Sequence, residues 1–197
     1  MRKLLILLLS LFFHPFYLTG QVYLNNASFE GMPMDASVPV GWFPCTDRTT
    51  PDILPGPWGV ILEASEGETF VGLITREDGS FESIGQRLKE PLKAKGCYLF
   101  SLDIGHSNSY AGSRYAGPLK LRIYIGPTRA SKEQLIYESD FIEDEDWTKV
   151  AVKFNPKNIA HFIRLEAFYK EGPFSYRGNI LIDNISAIQP CIRASLE

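Results

Sequence analysis

Histidine and cysteine are scarce in this sequence, with three of each in 197 residues. No Cys-x-x-Cys pair occurs, so redox catalysis and zinc clusters have no support. His14 lies in the N-terminal apolar segment, and no Gly-x-Ser-x-Gly or similar motif accompanies His106 and His161 to anchor a catalytic triad. The sequence therefore predicts a protein without enzymatic activity.

Long hydrophobic runs are absent after the first 20 residues. Two basic residues, Arg2 and Lys3, precede an apolar run that ends at Phe13, which is typical of a secretory signal peptide. Residues 1–20 are therefore predicted to be removed on export to the periplasm or cell surface, and residues 21–197 to form one domain. No later run reaches the ~18 apolar residues that a membrane-spanning helix needs, so no transmembrane span is expected.

An excess of basic residues is also lacking. The chain has 20 Lys and Arg against 23 Asp and Glu, a net charge of −3. Loss of Arg2 and Lys3 with the signal peptide takes the basic count to 18 and the net charge to −5. A nucleic-acid-binding face normally shows clustered Lys and Arg, so nucleic acid is not expected as a partner.

The mature chain keeps all three cysteines, Cys45, Cys97 and Cys191. An exported chain meets an oxidising compartment, in which one pair can form a disulfide. Spacing alone allows three pairings. We favour Cys97 with Cys191, because each lies at the end of an apparent strand, and this choice leaves Cys45 as a free thiol.

Apolar and polar residues alternate with period two along much of the chain, and no window shows the spacing of an amphipathic helix. The clearest alternation predicts strands over 98–104, 119–125, 150–154 and 163–167. Weaker strands are predicted over 59–62, 69–75, 81–88, 135–138 and 179–188. About ten strands separated by turn residues predict an all-β fold, a two-sheet antiparallel jelly-roll sandwich.

Three motifs carry a family resemblance. Residues 24–30 read Leu-Asn-Asn-Ala-Ser-Phe-Glu, Gly41-Trp42-Phe43 follows, and residues 179–185 read Asn-Ile-Leu-Ile-Asp-Asn-Ile. In their order and spacing the chain resembles the galactose-binding-like β-sandwich of carbohydrate-binding modules, in the form found in exported proteins of the Bacteroidetes. The resemblance covers nearly the whole mature chain and implies a non-catalytic module that binds a glycan.

The same resemblance implies a structural calcium ion where the two ends of the chain meet. Glu30 and Asp183 would supply carboxylates beside main-chain oxygens, and hard oxygen ligands of this kind suit calcium. The alternative is that Glu30 accepts hydrogen bonds from backbone N–H groups and Asp183 caps a turn.

Two connections are longer than a hairpin needs, 47–57 and 107–118, and long loops on a rigid scaffold commonly carry binding sites. A sugar stacks its C–H face on an aromatic ring and hydrogen-bonds to planar polar groups. The predicted ligand-binding residues are therefore loop aromatics and arginines: Trp58, Arg76, Tyr110, Arg114, Tyr115 and Tyr176, with Phe174 as a further aromatic candidate.

Other large and charged residues are assigned to the core or to the surface. Trp42 and Trp147 border apolar strands and are predicted to lie in the core. Solvated surface is predicted for the clustered acidic residues, namely Glu63, Glu66, Glu68, Glu82 and the run 143–146. For that run, cation contact and partner docking are the alternatives.

A second function remains open, because a lone module has no attached hydrolase to direct to a polymer. The same scaffold could act as a structural or adaptor subunit of a cell-envelope assembly, such as secretion or gliding-motility machinery. Its partner would then be an envelope protein, and fold alone does not decide between the two.

Overall fold

A computed structural model describes residues 20–169 and 175–191. The predicted signal peptide, apart from Gly20, and the candidate Phe174 lie outside the described residues. Within the described part of the chain, no helix is long and apolar enough to cross a membrane.

The described residues form β-strands joined by turns and one short 3-10 segment. The elements are β1 (Phe43–Pro44), β2 (Asp52–Leu54), the 3-10 turn (Pro57–Gly59), β3 (Phe70–Thr75), β4 (Ser83–Leu92), β5 (Tyr98–Gly105), β6 (Gly117–Pro118), β7 (Lys120–Gly126), β8 (Gln134–Glu138), β9 (Thr148–Phe154), β10 (Ala160–Phe168), β11 (Gly178–Asp183) and β12 (Gln189–Pro190).

The strands build two sheets packed face to face. One sheet has five antiparallel strands in the order β1-β4-β10-β7-β8. The other sheet has seven strands, five of which follow the order β12-β5-β11-β3-β2. The sixth, β9, pairs with the remaining edge of β5. The seventh, β6, pairs with β11 in the one parallel pairing that the described strands make. The predicted all-β, two-sheet jelly-roll sandwich is confirmed.

Two of the weaker strand predictions were wrong in whole or in part. The segment 59–62 is not a strand, because Trp58 and Gly59 have φ values of 55° and 74°, which turn the chain out of the extended region. The strand predicted over 179–188 ends at Asp183, because Asn184 turns at φ 51°.

The two ends of the described chain lie side by side. Val22 forms an antiparallel bridge with Ile188, and the amide of Ile185 donates to the carbonyl of Ala27 over 3.0 Å. Residues 24–30 lie in turns rather than in a strand. Their Phe29, which is fully buried, nevertheless belongs to the main core.

The main core fills the space between the sheets, and Trp42 lies in it as predicted. A second, smaller core covers the outer face of the seven-stranded sheet: Leu54, Val60, Phe70, Ile74, Tyr110 and Leu181. Trp147, predicted in the core, is only half-buried and packs edge-on against Phe70 with ring centroids 5.1 Å apart. The second core fixes segments 55–66 and 106–116 against the sheet.

A disulfide joins Cys97 to Cys191, with their Cα atoms 5.3 Å apart, and this is the pairing favoured from the sequence. It ties the start of β5 to the end of β12. Cys45 is free, and burial raises the pKa of its thiol to about 11.

Candidate functional site

A cavity of about 160 Å³ opens where β2 and β3 meet the 3-10 turn and segment 106–116. Its lining residues are Ala36, Thr50, Asp52, Trp58, Ile74, Arg76, Tyr110, Ala111 and Tyr115. Four of the six predicted ligand-binding residues, Trp58, Arg76, Tyr110 and Tyr115, therefore lie around one space.

Tyr110 forms the floor of the cavity and is almost completely buried. Its hydroxyl donates a hydrogen bond to Oδ2 of Asp52. The ring can lie on β3 because residue 72 is glycine: a Cβ there would stand 2.9 Å from the Tyr110 hydroxyl oxygen. Burial raises the pKa of Tyr110 well above its ordinary value, so the hydroxyl keeps its proton.

Asp52 is the buried acceptor of the site, and sequence reasoning missed it. Its Oδ1 accepts hydrogen bonds from the amide of Ala36, at 2.8 Å, and from the indole N–H of Trp58, at 3.1 Å. Burial raises the pKa of Asp52. The only signal in the sequence was its position: Asp52 follows Pro51 and directly precedes the apolar pair Ile53-Leu54.

Trp58 is fixed beside the cavity while 49% of its surface remains exposed. Its indole N–H is held by Asp52, and its carbonyl accepts from the amide of Ala111 over 2.8 Å. A bulky residue at φ 55° is rare, and such strained backbones are concentrated at ligand-binding sites. The ring therefore offers an immobilised aromatic face to solvent.

Arg76 forms the polar wall through a buried ion pair. Its Nη2 donates to Oε1 of Glu82 over 2.6 Å and to the hydroxyl of Thr50 over 3.2 Å. Its Nη1 is buried and has no hydrogen-bond partner among the described residues. Glu82 was predicted to be solvated, but it is fully buried. Its carboxylate also accepts hydrogen bonds from the backbone amides of Thr50 and Ile74. Burial raises the pKa of this carboxyl.

Tyr115 closes the cavity from the long loop, with its ring centroid 6.2 Å from that of Tyr110. The loop is positioned by Asn179, a fully buried residue of β11. The side-chain amide of Asn179 donates to the carbonyls of Tyr115 and Ser107 and accepts from the amide of Ser107. One asparagine thus holds both ends of the segment that carries Tyr110.

Arg114 and Tyr176 lie away from this cavity. Arg114 is exposed on the turn after Gly112 and does not line the space. Tyr176 packs against the main core and donates its hydroxyl proton to the carbonyl of Pro118 over 2.7 Å. The structure thus separates these two predicted ligand-binding residues from the other four.

The carboxylates predicted to bind calcium both approach segment 65–69. Both oxygens of Glu30 lie within 3.2 Å of the amide of Glu68, and a Cβ at Gly67 would stand 1.9 Å from Glu30 Oε1. Asp183 accepts from the amide of Glu66 and the hydroxyl of Ser28, both at 2.9 Å. No three His, Cys, Asp or Glu side chains of the described residues form a metal-binding group.

A buried charge network lies on the outer face of the five-stranded sheet. Arg164 and Glu166 alternate with the core residues of β10, which predicts solvent exposure, yet both are buried. Arg164 Nη2 donates to Glu166 Oε2 over 2.7 Å, and the Lys132 ammonium lies 2.8 Å from the same oxygen. The chain around Ala130 covers the pair, since its carbonyl accepts from Arg164 Nη1.

No protein-family model and no curated protein sequence matches the chain. Among solved structures, it is similar to a cyclase from Fischerella sp. TAU in complex with 4-(1H-indol-3-yl)butan-2-one, at 17% identity and TM-score 0.58 over 89% of this chain and all of that one. The CBM22-1 xylan-binding domain from Paenibacillus barcinonensis Xyn10C matches at 14% identity and TM-score 0.53, over 89% and 97% of the two chains. The K3 adhesin domain of Lys-gingipain from Porphyromonas gingivalis matches at 12% identity and TM-score 0.50, over 80% of this chain and 97% of that one.

These likenesses define the fold. The protein has the β-sandwich fold of carbohydrate-binding modules, as the family resemblance of its sequence implied. At such low identities the likeness carries no further information, and this fold also supports a cyclase. Function therefore has to be argued from the site.

The buried carboxyl of Asp52 predicts a pH dependence of stability. A carboxyl whose pKa is raised by folding holds its proton more tightly in the folded chain. The free energy of unfolding therefore falls as the pH rises from the pKa of Asp52 in the unfolded chain, about 4, through its raised pKa in the folded chain. Urea unfolding between pH 4 and 8 should show Asp52→Asn gaining stability relative to the wild type as pH rises.

Asp47, an exposed aspartate outside the groups that raise the pKa of Asp52, provides the control for this measurement. Asp47→Asn should shift the whole stability curve without that trend. A constant difference between Asp52→Asn and the wild type across the range would contradict the raised pKa, as would a difference that grows as pH falls.

Proposed function

We propose that the protein is a non-catalytic, exported binding module that takes one sugar ring of a glycan in the cavity beside Trp58. The observation that carries the proposal is an exposed indole ring, fixed by its own N–H to buried Asp52. That ring lines the same cavity as Arg76, whose Nη1 has no hydrogen-bond partner in the described part of the chain.

The cavity offers both kinds of contact that a sugar requires. The exposed face of Trp58 can stack on the C–H face of a pyranose. Oδ2 of Asp52 accepts one hydrogen bond, from Tyr110, and keeps a lone pair for a sugar hydroxyl. A cavity of roughly 150 Å³ holds a benzene ring, so about 160 Å³ fits one six-membered ring. We therefore expect the end of a glycan to be bound.

The lining favours binding over catalysis. Among the described residues that line it, Asp52 is the one carboxylate, and none is a histidine or a cysteine. Glycoside hydrolysis uses two carboxyl groups on opposite sides of the scissile bond. The nearby carboxylate of Glu82 does not supply the second one, because it is paired with Arg76. A bound sugar should accordingly be recovered unchanged after prolonged incubation with the protein.

Isothermal titration of the mature chain against monosaccharides, short oligosaccharides and peptidoglycan fragments tests the proposal. Trp58→Ala should weaken the binding of any ligand found by about tenfold or more, because it removes the stacking surface. Tyr23→Ala is the matched control, since Tyr23 is 54% exposed and is not one of the residues that line the cavity. No binding at millimolar concentration, or equal affinity of both variants, would contradict the proposal.

The alternative function is that of a structural or adaptor subunit of a cell-envelope assembly. Affinity purification of the native protein from detergent extracts of the cell envelope tests this alternative. A stoichiometric protein partner whose binding survives Trp58→Ala would favour the adaptor role over the glycan-binding role. Amino-terminal sequencing of the same material would test cleavage after Gly20.

We also propose that a structural calcium ion is held by Glu30 and Asp183. Two carboxylates and the nearby hydroxyls of Ser28 and Thr69 are hard oxygen groups of the kind calcium prefers. Bound calcium would stabilise the folded state by mass action. Calcium chloride should therefore raise the Tm of protein first dialysed against a chelator.

Glu30→Gln should abolish that rise, whereas Glu68→Gln, on the exposed side of the same contact, should keep it. Equal Tm values in calcium and in chelator would remove the calcium proposal without affecting the glycan site.

A further inference from the structure

A second cavity, of about 240 Å³, lies at the open edge of the sandwich, where β8 of one sheet faces β9 of the other. Its lining residues are Ile104, Tyr137, Ser139, Asp140, Phe141, Ile142, Glu143, Asp144, Thr148 and Val150. None of them lines the cavity beside Trp58, so this space is independent of the proposed glycan site.

The inner part of the cavity is apolar and aromatic. Ile104 and Ile142 are buried members of the main core, and Val150 packs against that core. Tyr137 is half-buried, and its hydroxyl makes no hydrogen bond to a described residue. Burial, followed by the charge of Asp140, raises the pKa of Tyr137, so this hydroxyl stays protonated. The floor therefore suits a hydrocarbon chain or ring.

The rim carries negative charge that is not paired with any cation of the described residues. Asp140, Glu143 and Asp144 are exposed, and none of them forms an ion pair with a described residue. Lys120 lies 5.3 Å above the Phe141 ring, but its ammonium is paired with Glu138. A cleft lined by charge of one sign concentrates ions of the opposite sign.

We propose that this cavity binds a small organic cation, in which a primary ammonium group is attached to a short aromatic or aliphatic chain. The chain would enter the apolar floor, while the ammonium would stay at the acidic rim within reach of the Tyr137 and Phe141 rings, whose faces attract cations. A cavity of roughly 150 Å³ accepts one benzene ring, so about 240 Å³ leaves room for a ring with a two-carbon arm.

The probe that tests this is 2-phenylethylammonium, followed by NMR titration of the full mature chain. Two compounds with a similar ring and arm isolate the charge: 2-phenylethanol is neutral and 3-phenylpropanoate is anionic. The ammonium compound should bind about tenfold more tightly than the alcohol, with the anion weaker still. Its affinity should fall as salt screens the rim.

Charge-neutralising variants then locate the binding. The triple variant Asp140→Asn, Glu143→Gln, Asp144→Asn should weaken ammonium binding by about tenfold. The matched control removes the same number of charges at exposed acidic residues outside the lining: Glu63→Gln, Glu90→Gln and Asp146→Asn. It should keep at least about half of the affinity.

Four results would overturn the proposal. The first three are the absence of ammonium binding, equal affinity for the alcohol, and equal losses of affinity in the two triple variants. The fourth is displacement of the probe by millimolar calcium chloride under conditions in which sodium chloride of the same ionic strength does not displace it. The last would assign the rim to a metal ion. Sugar binding beside Trp58 is read from separate NMR signals, so either proposal can fail without the other.

Discussion

Replacing Phe29 by alanine is expected to lower the free energy of unfolding by about 3–5 kcal/mol, the usual cost of truncating a buried aromatic ring. Phe29 has no exposed surface, and its ring centroid lies 5.1 Å from that of Trp42. It belongs to the same core as Ile182, near the other end of the chain. The variant therefore removes packing that joins the two ends.

Urea denaturation followed by fluorescence measures this effect. Tyr23→Ala is again a suitable control, because Tyr23 lies on the same N-terminal segment but is more than half exposed. Its substitution should change the free energy of unfolding by less than about 0.5 kcal/mol. Equal effects of the two substitutions would mean that residues 20–30 are not packed into the sandwich.

Glu166→Gln is expected to be similarly destabilising, by about 3–5 kcal/mol, because it leaves the buried guanidinium of Arg164 without its counter-charge. Glu166 is fully buried and Arg164 is 5% exposed. The Lys132 ammonium, which lies 2.8 Å from the same carboxylate, loses its partner as well.

Glu138→Gln provides the comparison on the same sheet. Glu138 is exposed and pairs with Arg122 and Lys120, and surface pairs contribute about 1 kcal/mol or less. The double variant Arg164→Leu, Glu166→Leu should recover much of the stability lost in Glu166→Gln, since it removes both buried charges. If Glu166→Gln costs no more than Glu138→Gln, the outer network is not sealed from water.

The strands that alternate most clearly were predictable from the sequence. The alternation over 98–104, 119–125 and 150–154 falls on β5, β7 and β9, because one face of each strand packs on the core. The strand predicted over 59–62 was wrong, because the backbone takes a left-handed turn at Trp58 and Gly59, and alternation of side-chain types does not indicate such a turn.

The candidate site was only partly predictable for a related reason. Loop aromatics and Arg76 could be chosen because sugar recognition needs those chemical groups. Alternation along a strand indicates which face a side chain occupies, but not whether another segment covers that face. Glu82, Asp52 and Glu166 were therefore missed as buried carboxylates: each is enclosed by segments that are distant in sequence.

The indole N–H signals of the three tryptophans test the central claim most directly. Trp42 and Trp147 donate to the carbonyls of Asn26 and Glu63, neither of which lines the cavity, whereas Trp58 donates to Asp52, which does. In a ¹⁵N-labelled sample titrated with a bound sugar, the Trp58 indole signal should move while the other two stay in place. A stationary Trp58 signal, with shifts confined to residues around Arg164, would contradict the account.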